Sequence, residues 1–246
     1  MTLYLSRLSI ARNPTANAIR ALIDPASGPE RDHLSDPAQA RAMDAHHRLI
    51  WSLFADHPDR RRDFLWRSEG KGRFLVLSDR MPAADGAGLF DPPQTKEFAP
   101  DLATGDRLHF LLRVNATRAR KNSAEPKRRG MRVDVVMDAL HHLPSGHESD
   151  ARRDARMDIA QETGRAWLDG QGAKTGFAVE AADVTDYSVV SFPGLGGSRL
   201  GRPRFGVMDM TGLLCVTDPA LLLAGIGRGF GRAKAFGCGL MLIRRA

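Results

Sequence analysis

The chain is poor in cysteine, in aromatic residues and in long apolar runs, and each shortage removes a class of protein. Only Cys215 and Cys238 are present in 246 residues. Neither has a partner at metal-ligand spacing, so both read as small core or loop residues rather than as ligands or a disulfide. No run of 18 apolar residues exists, which excludes a membrane-spanning helix. The opening Met-Thr-Leu-Tyr-Leu-Ser-Arg has no basic region followed by an apolar stretch, so no signal peptide is expected and a cytoplasmic location is. Aromatic residues make up 7%, with three Trp and two Tyr, too few for a protein that reads single strands by stacking bases on an aromatic platform.

What remains is a globular composition with an uneven charge. Hydrophobic residues form 42% of the chain, enough to fill real cores, and the length suits two small domains. The net charge is +7. Residues 1–100 hold 14 basic and 13 acidic side chains, whereas residues 101–246 hold 22 and 16. A positive excess gathered in one half points to a polyanionic partner, of which nucleic acid is the commonest.

The order of elements can be read from period and punctuation. Leu3–Ala11 alternates apolar and polar residues with one slip, which predicts a strand. Asp36-Pro37-Ala38-Gln39 is a helix start, with the helix running to about Asp56. Phe64–Arg67 and Arg73–Ser78 predict two strands, followed by a Pro/Gly/Ala-rich loop over Met81–Pro93. In the second half Leu108–Asn115 predicts a strand, Arg118–Arg132 a basic loop or arm, and Asp150–Leu168 a polar helix ending at Asp169-Gly170. Phe177–Val179 predicts a short strand, Tyr187–Arg204 a Gly-rich excursion, and Phe205–Val216 a hairpin turning near Thr211-Gly212. Asp218-Pro219 caps a helix over Ala220–Ile226, and Leu240–Ile243 predicts the last strand. Two such halves imply an α+β fold of tandem ferredoxin-like βαββαβ domains, divided at about residue 100 into 1–100 and 101–246.

Several segments carry a resemblance, in order and across nearly the whole chain. Gly229-Phe230-Gly231-Arg232-Ala233-Lys234-Ala235-Phe236-Gly237-Cys238-Gly239-Leu240 resembles the glycine-rich signature that closes the repeat-processing CRISPR endoribonucleases, and within them the CasE group of type I-E Cascade. Leu3–Arg7 resembles the opening strand of these proteins, and His47-Arg48-Leu49-Ile50-Trp51-Ser52-Leu53-Phe54 their first-helix histidine segment. Arg60–Trp66 resembles the strand that follows. Arg107–Asn115 resembles the first strand of the second domain, and Ala166-Trp167-Leu168 its helix. The resemblance implies two RAMP-type ferredoxin-like domains, a CRISPR repeat stem-loop as substrate, and metal-independent cleavage without a cofactor. It also implies that the product guide RNA is retained in a complex with other Cascade subunits.

Cleavage of that kind needs a group that moves protons near neutral pH, and histidine suits it. The expected products are a 2′,3′-cyclic phosphate and a 5′-hydroxyl. On the first helix Met43, His46, His47, Ile50, Leu53 and Phe54 share one face, so periodicity offers His46 and His47 equally. The resemblance selects His47 as catalytic and leaves His46 structural or supporting. Where some relatives place a tyrosine one turn earlier, this chain has Asp44, which either orients His47 or is a solvated helix residue. Lys234, Arg12 and Arg113 are the remaining candidates to assist His47.

The expected RNA contacts are basic residues and glycines. Six glycines lie between Gly225 and Gly239, interleaved with Arg228, Arg232 and Lys234. Gly229 and Gly231 allow close approach of the backbone to a phosphate. Arg228-Gly229-Phe230-Gly231 also resembles the start of an RRM aromatic strand, but continues Arg-Ala-Lys, without the aromatics that motif needs. Arg128 and Arg129 in the basic stretch, and Arg199, Arg202 and Arg204 in the Gly-rich excursion, complete the set, as the planar guanidinium suits phosphates and guanine edges. His141, His142 and His147 lack a framing carboxylate or cysteine and read as exposed loop histidines rather than a metal site. The alternative to an endoribonuclease is a catalytically silent RNA-hairpin-binding subunit of the same architecture, or an unrelated enzyme on this scaffold.

Overall fold

A computed structural model of the chain describes residues 2–11, 37–54, 61–83, 89–120, 130–141, 149–191 and 204–246. The chain divides into two compact units that are not contiguous in sequence. The first is drawn from 1–101, 190–204 and 233–240, and the second from 102–189, 205–232 and 241–246.

The first unit is built on β1 (Tyr4–Ser9), α1 (Pro37–Trp51), β2 (Phe64–Gly70), β3 (Arg73–Ser78) and β4 (Gln94–Glu97). Its sheet order is β2-β3-β1-β4, the strand order of a ferredoxin-like domain. Every neighbouring pair is antiparallel. The slip in the β1 pattern has a physical cause. The buried face reads Ser6, Leu8, Ile10, and the Ser6 hydroxyl is satisfied by Thr95 Oγ1 on β4 at 2.9 Å. Strand β4 itself escaped the sequence reading because it is four polar residues at a sheet edge, where no apolar alternation is required. Ile50, Leu53 and Phe54 from α1 and the turn after it pack with Leu8, Ile10, Phe64, Trp66, Phe74, Val76 and Phe90 to form the core. Arg80 fixes that turn. It donates to the Phe54 carbonyl, pairs with Asp63 at 2.5 Å, and lies over the Phe54 ring.

The second unit contains β5 (Arg107–Val114), β6 (Thr117–Arg120), β7 (Met131–Asp134), α2 (Val135–His141), α3 (Ser149–Thr175), β8 (Phe177–Ser191), β9 (Arg204–Val216), α4 (Pro219–Arg228) and β10 (Met241–Arg245). Its main sheet has the order β10-β5-β9-β8, again ferredoxin-like, with α3 and α4 in the two crossover positions. In β5 the buried Leu108, Phe110, Leu112 and Val114 alternate with more exposed residues, so a single period-2 pattern fixes the strand. Helix α4 starts where expected, with Asp218 Oδ1 accepting from the Leu221 amide at 2.9 Å and Pro219 in the first turn.

Three expectations are corrected here. Phe205–Val216 is one strand, not a hairpin: Gly212 pairs with Phe110 in mid-sheet. A Cβ at Gly212 would run into the Ala181 carbonyl, so the glycine serves close backbone approach rather than a turn. The polar helix does not stop at Gly170. It continues to Thr175 and ends before Gly176, whose φ is 75°. Strand β8 begins at Phe177 as expected but runs 15 residues, taking in Tyr187–Ser191 from the segment read as an excursion.

Helix α2 is a further element without a strong sequence signal. Asp134 caps it, its Oδ1 accepting from the amides of Val136 at 3.0 Å and Met137 at 3.1 Å and from the Tyr187 hydroxyl at 2.9 Å. Asn115 Nδ2 donates to Asp134 Oδ2 at 3.3 Å and to the Gly206 carbonyl at 2.8 Å. Burial pushes both the Asp134 carboxyl and the Tyr187 hydroxyl above their usual ranges. The free cysteines fit the packing: Cys238 is buried and Cys215 half-buried.

Candidate functional site

Helix α1 positions the site in the first unit. Ile50 points into the core, and the residues one turn to either side of it set the orientation of the histidine pair. His46 turns toward the core edge, with its ring 4.9 Å from Phe74 and 5.9 Å from Trp66, both edge-on. His47 is half-buried and lies against a different pair of rings. Its ring stacks on Trp51 and on Phe64, each at 6.0 Å with the planes inclined at 29°. The two histidines that periodicity could not separate therefore have different surroundings.

An open cleft of about 640 Å³ is lined by His47, Arg48, Trp51, Arg62 and Ala235. His47 Nε2 is buried and makes no hydrogen bond. The imidazole pKa is held below its ordinary value, first by burial and then by the positive charge of Arg62, with a smaller lowering from Arg48. Asp44 acts in the opposite direction. Asp44 is engaged elsewhere, since it forms an i,i+4 ion pair with Arg48 at 2.7 Å on the exposed side of the helix.

The far wall of the cleft is a 3₁₀ turn, Lys234–Phe236, from the glycine-rich run. Ala233 before it and Gly237 after it both adopt left-handed backbone, at φ 54° and 75°. Alanine rarely adopts this conformation, so the surroundings must hold it there. One restraint is visible. Trp66 Nε1 donates to the Ala235 carbonyl at 3.3 Å, and a Cβ at Gly237 would press on the Trp66 ring at 3.1 Å. Lys234 is half-buried on this turn, one residue from the Ala235 wall.

The other basic candidates fall in different places. In the second unit Arg228 is exposed in the last turn of α4, and Gly229 closes that helix, its amide donating to the Gly225 and Ile226 carbonyls. Gly231 packs on β5, since a Cβ there would meet the Asn115 carbonyl at 2.6 Å. The Arg232 amide donates to that same carbonyl at 3.1 Å while the residue stays exposed. Arg204 is exposed at the start of β9. Arg113 makes a bidentate pair with Asp209, its shortest bond 2.5 Å, which engages it as a structural cross-strand link. Arg12, Arg128, Arg129, Arg199, Arg202, His142 and His147 lie outside the described residues. His141 is exposed at the end of α2. Among the described residues no group of three His, Cys, Asp or Glu side chains could hold a metal ion.

The basic stretch is in part a two-stranded ribbon, β6 with β7, in the register Thr117↔Asp134 to Arg120↔Met131. Two of its arginines are already engaged. Arg118 and Arg120 converge on Asp138 of α2, with bonds of 2.5 to 3.0 Å to a carboxylate that is 4% exposed. Replacing Asp138 by Asn should lower stability by about 1–3 kcal/mol, since a buried charged acceptor is lost while both arginines can return to water. Urea unfolding measures the loss, and an unchanged midpoint would mean that the clamp contributes nothing.

Sequence reading missed two parts of this site. Trp51 belongs to the first-helix segment and stands at i+4 from His47, where a side-chain neighbour is expected, but nothing in the sequence alone gives it a role. Arg62 follows two other arginines in sequence ahead of β2, and no local pattern marks it as the one that lines a cleft.

Comparison with known proteins gives consistent matches. The family model described as "CRISPR associated protein" matches residues 3–245. The Cascade subunit CasE of Escherichia coli strain K12 is 26% identical over 201 residues, covering 79% of this chain and 88% of that protein. The CRISPR endoribonuclease Cse3 bound to a 19-nucleotide RNA superimposes with a TM-score of 0.62 at 22% identity, covering 99% of both chains. Thermus thermophilus Cse3, bound to an RNA representing a pre-cleavage complex, gives 0.60 at 23% identity over 99% of this chain and 100% of that one.

Proposed function

This chain belongs to the CRISPR-associated protein family, and on that premise we propose that it is a metal-independent endoribonuclease which binds the stem-loop of CRISPR repeat RNA and cuts precursor transcripts into guide RNAs. The observation that carries the reading is His47: an imidazole with an unpartnered, buried Nε2 on the wall of a cleft large enough for a nucleotide. The protein relatives named above are a Cascade subunit and an RNA-bound CRISPR endoribonuclease, which favours an RNA hairpin as substrate, and other Cascade subunits as partners.

The chemistry follows from the state of the imidazole. Burial and flanking cations favour its neutral form in the free protein, and neutral imidazole has a lone pair to accept a proton. His47 takes the proton of the 2′-hydroxyl beside the scissile phosphate. The 2′-oxygen then bonds to phosphorus, the bond from phosphorus to the 5′-oxygen breaks, and the leaving oxygen takes its proton from solvent water, while the proton held by His47 returns to solvent and restores the neutral imidazole. The products are a 2′,3′-cyclic phosphate and a 5′-hydroxyl. We assign contacts with the RNA backbone to Arg228, Gly231, Arg232 and Lys234 of the glycine-rich run, and to Arg128, Arg129, Arg199, Arg202 and Arg204, whereas the buried Gly229 amide is taken up in closing α4.

The test is cleavage of an end-labelled transcript of the CRISPR repeat from the host genome in excess EDTA. Undiminished cutting with cyclic-phosphate ends is expected, and loss of activity on chelation would reject the mechanism. Binding without any cutting would favour the silent-subunit alternative.

The pH profile tests the role of His47 separately. A base must be deprotonated to act, so kcat/KM should rise with pH and level off, with its midpoint below about 6.5, the ordinary histidine value. At saturating RNA the midpoint should move up, because phosphates beside the ring favour the imidazolium. A rate that falls from pH 6 to pH 8 would assign His47 the role of acid instead.

A further inference from the structure

Two arginines line the cleft, and they differ in what balances their charge. Arg48 is paired with Asp44 and reaches into solvent, its side chain 78% exposed. Arg62 is half-buried, and desolvation lowers its pKa, with no carboxylate among the described residues acting in the other direction. The nearest carboxylate in sequence, Asp63, bonds to Arg80. Arg62 therefore carries a partly dehydrated guanidinium that no carboxylate among the described residues neutralises. It faces the same cleft as His47. Burying a charge without a counter-charge is costly. Its position beside an imidazole adds a repulsion whenever that ring is protonated. Both penalties vanish when an anion enters the cleft. A phosphodiester offers two non-bridging oxygens with the spacing that a guanidinium fork binds bidentately. The stacked rings of Trp51 and His47 line the same space and offer an aromatic flank, which fits a nucleotide better than a free inorganic ion.

We propose that Arg62 is a second catalytic residue, its guanidinium gripping the non-bridging oxygens of the scissile phosphate beside His47. The assignment rests on the endoribonuclease reading, since it needs a scissile phosphate in this cleft. As the 2′-oxygen attacks, the phosphorane gains charge on those oxygens, and a preorganised cation in a partly dry site stabilises it. The contact would also hold the phosphate within reach of Nε2. The other charged groups that act on the ring are Asp44 and Arg48 on its own helix, with Lys234 next to Ala235 on the turn that lines the cleft, and none is altered by a change at Arg62.

The experiment follows His47 by NMR, with the ring carbons labelled, during titration with inorganic phosphate and then with a repeat hairpin bearing a 2′-deoxy nucleotide at the cut. In the wild-type protein phosphate should shift the His47 signals and raise its titration midpoint. In Arg62→Gln the midpoint without phosphate should already be higher, because a neighbouring positive charge is gone, and the response to phosphate should be lost. Single-turnover cleavage by the variant should fall by about 10²-fold, the size seen when one preorganised donor is removed from a transition state, while hairpin binding changes a few-fold. Arg62→Lys keeps the charge without the fork and should recover part of the rate, with native folding. A wild-type His47 indifferent to phosphate, or an Arg62→Gln protein that still responds, would overturn the proposal. The phosphate titration needs no cleavage. If the wild-type protein responds to phosphate as described but cuts no repeat RNA, the endoribonuclease reading fails while the anion site stands.

Discussion

His47→Ala is expected to lower the cleavage rate by about 10²–10⁴-fold, the range for loss of a general acid or base, while leaving hairpin affinity within a few-fold. The asymmetry comes from geometry. His47 is one of five residues that line the cleft, a small part of any surface that could hold a stem-loop, and among them it carries the group best suited to accept a proton. The substitution also removes a ring stacked on Trp51 and Phe64, so melting temperature must be recorded beside activity. His47→Asn keeps more of the bulk and serves as the second variant. His46→Ala should show the reverse pattern, because its ring packs edge-on against Trp66 and Phe74: stability falls and the chemistry survives. Undiminished cutting by His47→Ala would remove the residue from the mechanism.

Trp66→Ala should be the most damaging change to the fold of the first unit, costing about 3–5 kcal/mol as a buried large-to-small substitution. Trp66 is 1% exposed in the middle of the aromatic cluster with His46 and Phe74. It also bears on function, because its indole donates to Ala235 and its ring backs Gly237. Trp66→Phe separates the two effects. It keeps much of the packing and loses the hydrogen bond, a change of about 1 kcal/mol beyond the lost volume. Cleavage should nevertheless drop in Trp66→Phe at temperatures where urea titration shows the protein fully folded. Full activity in that variant would mean that the Ala235 wall holds its place without the indole.

Much of the scaffold could be read from period and capping. Strand β5 and helix α4 announce themselves, the one by strict alternation of Leu108, Phe110, Leu112 and Val114, the other by Asp218-Pro219. Gly212 misled because a glycine beside threonine signals a turn locally, whereas here its missing side chain serves a neighbour remote in sequence, Ala181. Strand β4 carries no apolar pattern, and α2 starts on Asp134, whose capping role depends on Tyr187 and Asn115 as much as on its own neighbours. The candidate site divides the same way. Resemblance singled out His47 where helical periodicity offered two residues. The environment of His47 was out of reach, because Arg62 and Ala235 come to it through tertiary packing. Charge counting also overstated the free arginines, since Arg113, Arg118 and Arg120 are already held by Asp209 and Asp138.

Residues 233–240 belong with the first unit, although β5 to β9 and α4 all precede them in the chain. During synthesis this has a consequence for timing. A ribosome that has released α1 and β1–β4 has made His47, Arg62 and Trp66, but not the Ala235 wall or the carbonyl that Trp66 bonds. The cleft is completed only after nearly every other element has left the exit tunnel. A chain cut short by an early stop would therefore carry the histidine without a finished cleft, and the proposed site is complete only once Ala235 has been made.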